Sequence, residues 1–300
     1  LRRVDLNLLV VFHVLMRERH VTRAAATLQI SQGAVSAALG RLRRTFDDDL
    51  FVRTRSGMQP TPRALELASR IGQPLGQIAG ALFGDEVFEP QASRRTMIIA
   101  LSDDLEAWLA PRLLAAAGQR QWSVRFTFRQ TNSHLWRDAL ANPRVDAVIC
   151  ADPGSVPAAY QRRPLFSGSY SCLYDGARLG ISTPLSLRDY VSLRHVRISY
   201  DAQRGFVDDL LDAMGHERPA IGSFTHFAGV LTSLRRTPTV ATLPSFAAHE
   251  FAHAAGLTVS PPPMPMPSFA ITLLWRVADE GDPAHRWLRD LIASIPWPGA

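Results

Sequence analysis

Residues 22–57 read TRAAATLQISQGAVSAALGRLRRTFDDDLFVRTRSG, and the apolar spacing along them predicts two helices followed by a hairpin. Thr22 stands where a helix N-cap belongs. Ala24, Ala25, Ala26 and Leu28 then give a short helix whose small residues let another helix approach closely. After a turn at Gln29-Ile30, Ser31 caps a longer helix from about Gln32 to Thr45, with Val35, Leu39, Leu42 and Phe46 as its buried stripe. Its other face carries Gln32, Ser36, Gly40, Arg41, Arg43 and Arg44. Leu50 to Gly57 alternates as a β-hairpin from which Arg53 and Arg55 project.

Upstream, Leu6, Leu9, Val10, Phe12, Val14 and Leu15 make a first helix that ends near Arg17-Glu18-Arg19-His20. Asp5, Asn7 and His13 interrupt its apolar run, so an amphipathic helix explains this segment better than an export leader. Three short helices, a tight turn before the third and a basic hairpin after it suit insertion into a DNA major groove. A three-helix interaction module with merely solvated arginines is the bland alternative.

Charge supports the first reading. Residues 1–70 hold twelve Arg against six acids, a surplus equal to the +6 of all 300 residues, so the remainder is neutral. A basic segment on a neutral body points to a polyanion for the segment and another task for the body. There is no lysine, so the charge is all guanidinium, which suits bidentate phosphate and guanine contacts.

Ala25-Ala26-Thr27-Leu28, Ser31-Gln32, Ala34-Val35-Ser36, Leu39, Leu42, Asp49-Leu50-Phe51-Val52-Arg53-Thr54 and Gly57-Met58-Gln59-Pro60-Thr61-Pro62 resemble the N-terminal domain of LysR-type transcriptional regulators. Arg43 and Asp48-Asp49-Leu50-Phe51 resemble the subgroup that senses nodulation signals and aromatic degradation products. The resemblance implies DNA contacts from Gln32, Ser36, Arg41 and Arg53, with Thr22, Gly33, Ala37 and Arg55 completing the set. Gly33 departs from the family's usual proline, and an intact helix with a softer start is expected. Relatives often carry a longer polar residue at the position of Ala37.

Thr61-Pro62 begins a connecting helix that continues to about Phe83, where Ile71, Leu75, Ile78 and Leu82 have coiled-coil spacing and imply dimerisation. Pro74 is expected to kink it, and Gly84 and Pro90 to close it. From Arg94 onward strands and helices alternate: Met97 to Leu101, a helix capped by Ser102, Val124 to Phe128, a helix over 133–141, and Val145 to Cys150. Further units reach a last strand, Phe269 to Trp275, and a last helix, Ala284 to Ile295, which return to the first sheet. Such β-α-β units predict parallel sheets. The expected fold class is α/β, with an N-terminal winged helix-turn-helix over 1–60, a long linker helix over 61–91, and an effector domain over 92–300. The resemblance implies a bilobed, periplasmic-binding-protein-like form for that domain, with lobe I near 92–163 and 267–300 and lobe II near 164–266.

Ligands of open α/β sheets sit beyond the strand C-termini. That rule places an effector cleft near Ser102, Asn132, Ser133, Gly168, Ser199, Arg204, Thr225, His226, Phe246 and Phe269. Each has a plainer reading: Ser102 as a helix cap, His226 as a satisfied histidine. Aromatic-acid-sensing relatives place a histidine after the Leu-Phe of the crossover strand and an arginine near a later proline. Here Ser167-Gly168 and Ser245-Phe246 stand at those places, so the effector is expected to be less acidic or held by Arg204.

The functional expectation is a cytoplasmic, sequence-specific regulator and not an enzyme. Its expected partners are double-stranded promoter or operator DNA, a small-molecule effector with aromatic compounds as the suggested class, RNA polymerase, and copies of itself as a homodimer or homotetramer. An effector would change the angle between lobes or subunits. No cofactor, metal or membrane is expected, and no run of eighteen apolar residues occurs.

Three rivals compete with this reading. His249-Glu250-Phe251-Ala252-His253 matches a zinc-protease motif, but Val259 stands where the third ligand belongs. Cys150 and Cys172 lack the basic neighbours of a reactive thiolate. A free-standing solute-binding protein conflicts with the basic N-terminal module and the lack of an export signal.

Overall fold

Asp5 accepts a hydrogen bond from the Asn7 backbone N–H at 3.0 Å and starts α1 (Leu6–Glu18). The structure, a computed structural model, describes residues 5–54, 57–83, 88–199 and 204–298, without the side chains of 69, 73, 76, 77 and 79–83. Arg19, in the left-handed region at φ 47°, ends α1. Only His20 then separates it from α2 (Val21–Leu28), so His20 is the N-cap, its Nδ1 accepting from the Thr22 N–H at 3.2 Å. Thr22, expected as that cap, lies inside the first turn. The α1 helix reverses in fewer residues than its polarity pattern suggests.

Ser31 Oγ accepts from the Ala34 N–H at 3.1 Å and caps α3 (Gln32–Phe46) as expected. Gly33 leaves the helix intact. Val35, Leu39 and Leu42 bury against Phe12 and Leu15 of α1, and Phe46 is partly buried. The wing follows as β1 (Phe51–Thr54) paired antiparallel with β2 (Gly57–Pro60), and the Phe51 ring packs 5.8 Å from that of Phe12. Arg43 braces this junction by donating to the carbonyls of Asp49 and Phe51, both at 2.8 Å.

Thr61 Oγ1 accepts from the Ala64 N–H at 3.1 Å and starts α4 (Pro62–Phe83), with Pro62 at the first position, where its missing N–H costs nothing. Pro74 lies inside α4 without ending it. Along the expected seam Ile71 and Leu75 are half-buried and Ile78 is exposed; the Leu82 side chain and Gly84 lie outside the described residues.

The rest of the chain builds two sheets. Its elements are β3 (Thr96–Leu101), α5 (Asp103–Gln119), β4 (Arg125–Gln130), α6 (Trp136–Ala141), β5 (Ala147–Ala151), β6 (Tyr160–Gly168), β7 (Tyr170–Tyr174), α7 (Gly176–Leu179), α8 (Leu187–Ser192) and β8 (Arg194–Ile198). Then come α9 (Phe206–Ala213), β9 (Ala220–Phe224), α10 (Phe227–Arg236), β10 (Thr239–Pro244), α11 (Ser245–Ala255), β11 (Thr258–Ser260), β12 (Phe269–Arg276), a 3-10 turn (Val277–Asp279) and α12 (Pro283–Ser294). The first sheet has the order β4-β3-β5-β12-β6, the second β11-β7-β10-β8-β9.

Both sheets are mixed, which corrects the expectation of parallel ones. In the first, β3 runs parallel to β4 and β5, but β12 is antiparallel to β5 and β6. The last strand arrives from the second lobe beside the C-terminal end of β5, where Ile271 pairs with Ala151, and must run back. β7 is likewise antiparallel to β10 and β11. The change of sheet also falls later than residue 163: β6 stays paired with β12 up to Gly168↔Phe269, and only Ser169 precedes β7.

One apolar cluster spans both lobes. Within it Trp108 of α5 stacks on Trp297 at 4.7 Å, Trp297 on Phe166 at 5.3 Å, and Phe166 meets Phe246 of α11 edge-on at 5.6 Å. The lobes therefore share one close-packed core.

Candidate functional site

The helix-turn-helix and wing enclose a concave surface of about 560 Å³. Thr22 of α2, Gln32 and Ser36 of α3, and Arg53 of β1 line it together. Gln32 and Ser36 are one helical turn apart on the exposed face, because Val35 and Leu39 turn the opposite face inward. Arg53 is exposed, and its guanidinium has no partner among the described residues. Gly33 and Ala37 are exposed on α3 outside this lining. Arg41 is exposed and lies 3.7 Å from Asp5. Arg55 lies outside the described residues. His20, which sequence reasoning passed over as a helix terminator, lines the same surface while capping α2.

A second constellation lies between the lobes. Ser102 occupies the N-cap position of α5, yet its hydroxyl bonds the Asp104 carboxylate and not a backbone N–H. Asp103 reaches across: its Oδ2 accepts from the Phe227 N–H, the first of α10, at 2.7 Å, with His226 Nδ1 at 3.9 Å. The Phe269 ring lies on Gly168, where a Cβ would stand 2.4 Å from it. Tyr170 links Phe269 and Phe206, with ring centroids at 4.9 and 4.7 Å. Burial and the nearby Asp104 push the Tyr170 hydroxyl up to about 12.

The remaining expected cleft residues are placed differently. Thr225 is exposed beside His226, and the Ser199 N–H donates to the Phe224 carbonyl at 3.0 Å. Asn132 Oδ1 accepts from the His134 and Leu135 N–H groups at 2.9 and 3.0 Å, making a turn that contains the half-buried Ser133. Arg204 pairs with Asp212 and is exposed. Phe246 is 6% exposed, its ring within the shared core. Asp103, Asp104, Tyr170 and Phe206 were not singled out from sequence. An Asp-Asp pair behind a strand reads as ordinary helix-start charge, and only the facing lobe reveals what it meets.

Two buried groups give stability opposite pH slopes. Burial holds His195 down to about 4, so its contribution is present above the ordinary value near 6.5 and is lost as the pH falls towards 4. Burial raises Asp104 to about 6, so its contribution is present below the ordinary 3.8 and is lost as the pH rises through 6. Asp104→Asn is therefore expected to raise Tm at pH 8 and to lose that gain at pH 4, as melting curves at the two values will show.

The two chemical rivals fare poorly. His249 and His253 are exposed on α11, Glu250 is ion-paired with Arg112 at 3.2 Å, and no group of three metal-ligating side chains occurs among the described residues. Cys150 and Cys172 are buried on β5 and β7 in different sheets. Burial pushes each thiol up to about 12, the opposite of a reactive thiolate.

A winged helix-turn-helix joined by one helix to two α/β lobes with a shared seam is the build of a DNA-binding regulator with a sensing domain. Residues 6–65 match the family model for the bacterial regulatory helix-turn-helix protein, lysR family, and residues 90–295 match that for the LysR substrate binding domain. The chain belongs to the LysR family of transcriptional regulators and is not an enzyme. It is 35% identical over 296 residues to the HTH-type transcriptional activator NagR of Ralstonia sp, covering 98% of each chain. It is 31% identical to nodulation protein D 1 of Rhizobium tropici, covering 96% of this chain and 94% of that one. Among solved structures it resembles the probable transcriptional regulator PA0477 of Pseudomonas aeruginosa, with a TM-score of 0.60, 32% identity and 97% of each chain covered. Among the described residues no helix is long and apolar enough to cross a membrane.

Proposed function

We propose that the protein is a cytoplasmic regulator that grips operator DNA as a homodimer or a homotetramer and alters its contact with RNA polymerase when an effector binds between the lobes. Gln32, Ser36 and Arg41 face bases and phosphates in the major groove, and Arg53 reaches the backbone. Thr22, Gly33, Ala37 and Arg55 complete the contact surface. The observation that carries this reading is the concave face uniting Gln32, Ser36 and Arg53 on the segment that holds the chain's surplus charge.

Dimerisation is supported by Ile78, 48% exposed on the long linker helix of a single chain. Two modules are needed because one buries little DNA surface, whereas a pair spans half-sites about 34 Å apart. An aromatic effector without a carboxylate is supported by the Tyr170, Phe206 and Phe269 rings. Asp103 already occupies the first N–H of α10, and Arg204 is held by Asp212. Ser102, Gly168 and His226 would lie closest to it, with Ser133, Ser199 and Thr225 behind.

The test is binding of the purified chain to its own upstream DNA against scrambled DNA across a salt series. Arg53→Ala should weaken binding on both and lower the salt slope by about 1. Gln32→Ala should alter preference at one base pair by about 1–3 kcal/mol. Unchanged binding by both variants would place the recognition surface elsewhere.

A further inference from the structure

The DNA-binding unit and lobe I meet along a small seam. Met16 of α1 and Leu65 and Ala68 of α4 face Tyr160, Val277 and Ala278 of lobe I. Gly72 lets α4 come close, since a Cβ there would stand 3.2 Å from the Val277 carbonyl oxygen. The residue that crosses this seam is Arg19.

Its main chain belongs to the wing. The Arg19 carbonyl accepts from the Met58 N–H at 2.8 Å, and Gly57 is packed so tightly on that oxygen that a Cβ would stand 2.6 Å from it. Its side chain lies at the border with the other domain. The Nε atom is buried without a hydrogen-bond partner, and the adjacent Arg17 and Glu18 share a cleft with Arg276 and Asp279 of lobe I; burial lowers the guanidinium's pKa, with the charges of Arg276 and Asp279 as lesser influences. Asp279 is 3% exposed and ion-paired with Arg276 at 2.7 Å. A buried N–H without a partner costs free energy, so a small shift of the turn changes what it can meet.

The same turn is tied to the rest of lobe I. Asp282, just beyond it, holds Arg95 at 2.7 Å, and Arg95 holds Asp146, whose other oxygen accepts from the Ile98 N–H at 2.6 Å on β3. β3 ends at Leu101, one residue before Ser102 of the cleft. The chain of ion pairs from the turn to β3 therefore links the seam to the strand that leads into the cleft.

We infer that Arg19 is a positioning residue for the wing: its carbonyl fixes Met58, and its side chain, buried where the end of α1 meets Tyr160 and the turn that carries Arg276 and Asp279, makes that position depend on lobe I. The inference rests on the wing's role in DNA binding, but its first test needs no DNA. Hydrogen exchange at the Met58 amide is measured in the full chain carrying Asp279→Asn or Tyr160→Phe, each with Arg19 intact and with Arg19→Asn. Asparagine tolerates the left-handed backbone, so Arg19→Asn deletes the guanidinium and keeps the cap. Tyr160→Phe removes one hydroxyl and covers the case in which Asp279→Asn destabilises the lobe.

With Arg19 intact, the lobe I change should alter Met58 exchange by about 5-fold or more, the lower end of measured couplings between sites. In the Arg19→Asn background the same change should have no effect, and operator affinity should follow the same non-additive pattern. Equal effects in both backgrounds, or none in either, overturn the inference. Failure of the unaltered chain to prefer its own upstream DNA would instead overturn the reading of the preceding subsection.

Discussion

Operator affinity of a Gly57→Ala variant is expected to fall by at least about tenfold, a loss of roughly 1.4 kcal/mol or more. Gly57 stands at φ 128°, where a Cβ is strained whatever the space around it, and that Cβ would also lie 2.6 Å from the Arg19 carbonyl oxygen. Backbone must move, and the nearest backbone to move is the hydrogen bond that holds the wing. The contrast is Gly33→Ala, whose Cβ would meet only Ser31 Oγ at 3.8 Å at a helix start and should leave folding intact. Titrating both variants against the same DNA, with Tm on the same samples, checks the pair. Wild-type affinity in Gly57→Ala would mean that the wing is not held through Arg19.

Phe246→Ala should lower stability to urea by about 3–5 kcal/mol, the usual range for deleting a buried aromatic ring. Phe246 is 6% exposed and meets Phe166 edge-on at 5.6 Å, at the end of the ring series that runs from Trp108 through Trp297. Because one cluster serves both sheets, the loss should move a single cooperative transition of the effector domain, not split it. A separate early transition for the second lobe would show that its core is independent. A loss under about 1 kcal/mol would return Phe246 to the cleft surface.

Comparison of these two residues shows where sequence reading succeeds. The turn at Gly57 and the helix start at Ser31 are legible because their signals are local: a glycine after alternating residues, a serine before an apolar stripe. Phe246 lies two residues beyond the proline that ends β10, the correct place for a cleft residue. The ring turns inward because Phe166 and the stacked tryptophans offer it an apolar partner from distant parts of the chain. Tyr170 shows the converse. It follows two small residues on a strand and acquires its place between Phe206 and Phe269 only when two sheets meet.

The cap at His20 differs from the expected Thr22 for a related reason. Polarity marks the end of a helix to within a residue or two, whereas the left-handed turn at Arg19 sets the spot. Arg43 reads as one more exposed arginine, but the fold brings the Asp49 and Phe51 carbonyls to it.

By itself the sequence determined the three helices of the first sixty residues with the Ser31 cap, the wing, the confinement of surplus positive charge to the first seventy residues, and the alternation of strands and helices beyond them, because each follows from neighbours within a few positions or from composition. Only the tertiary structure decided that β12 runs antiparallel, that the chain changes sheets after Gly168, that the lobes share one core, and that Asp103 reaches into a different lobe from its own. Strand direction depends on the end of the sheet at which the chain arrives, and a side chain's partner on what arrives opposite it. Neither is encoded in a period of 2 or 3.6 residues.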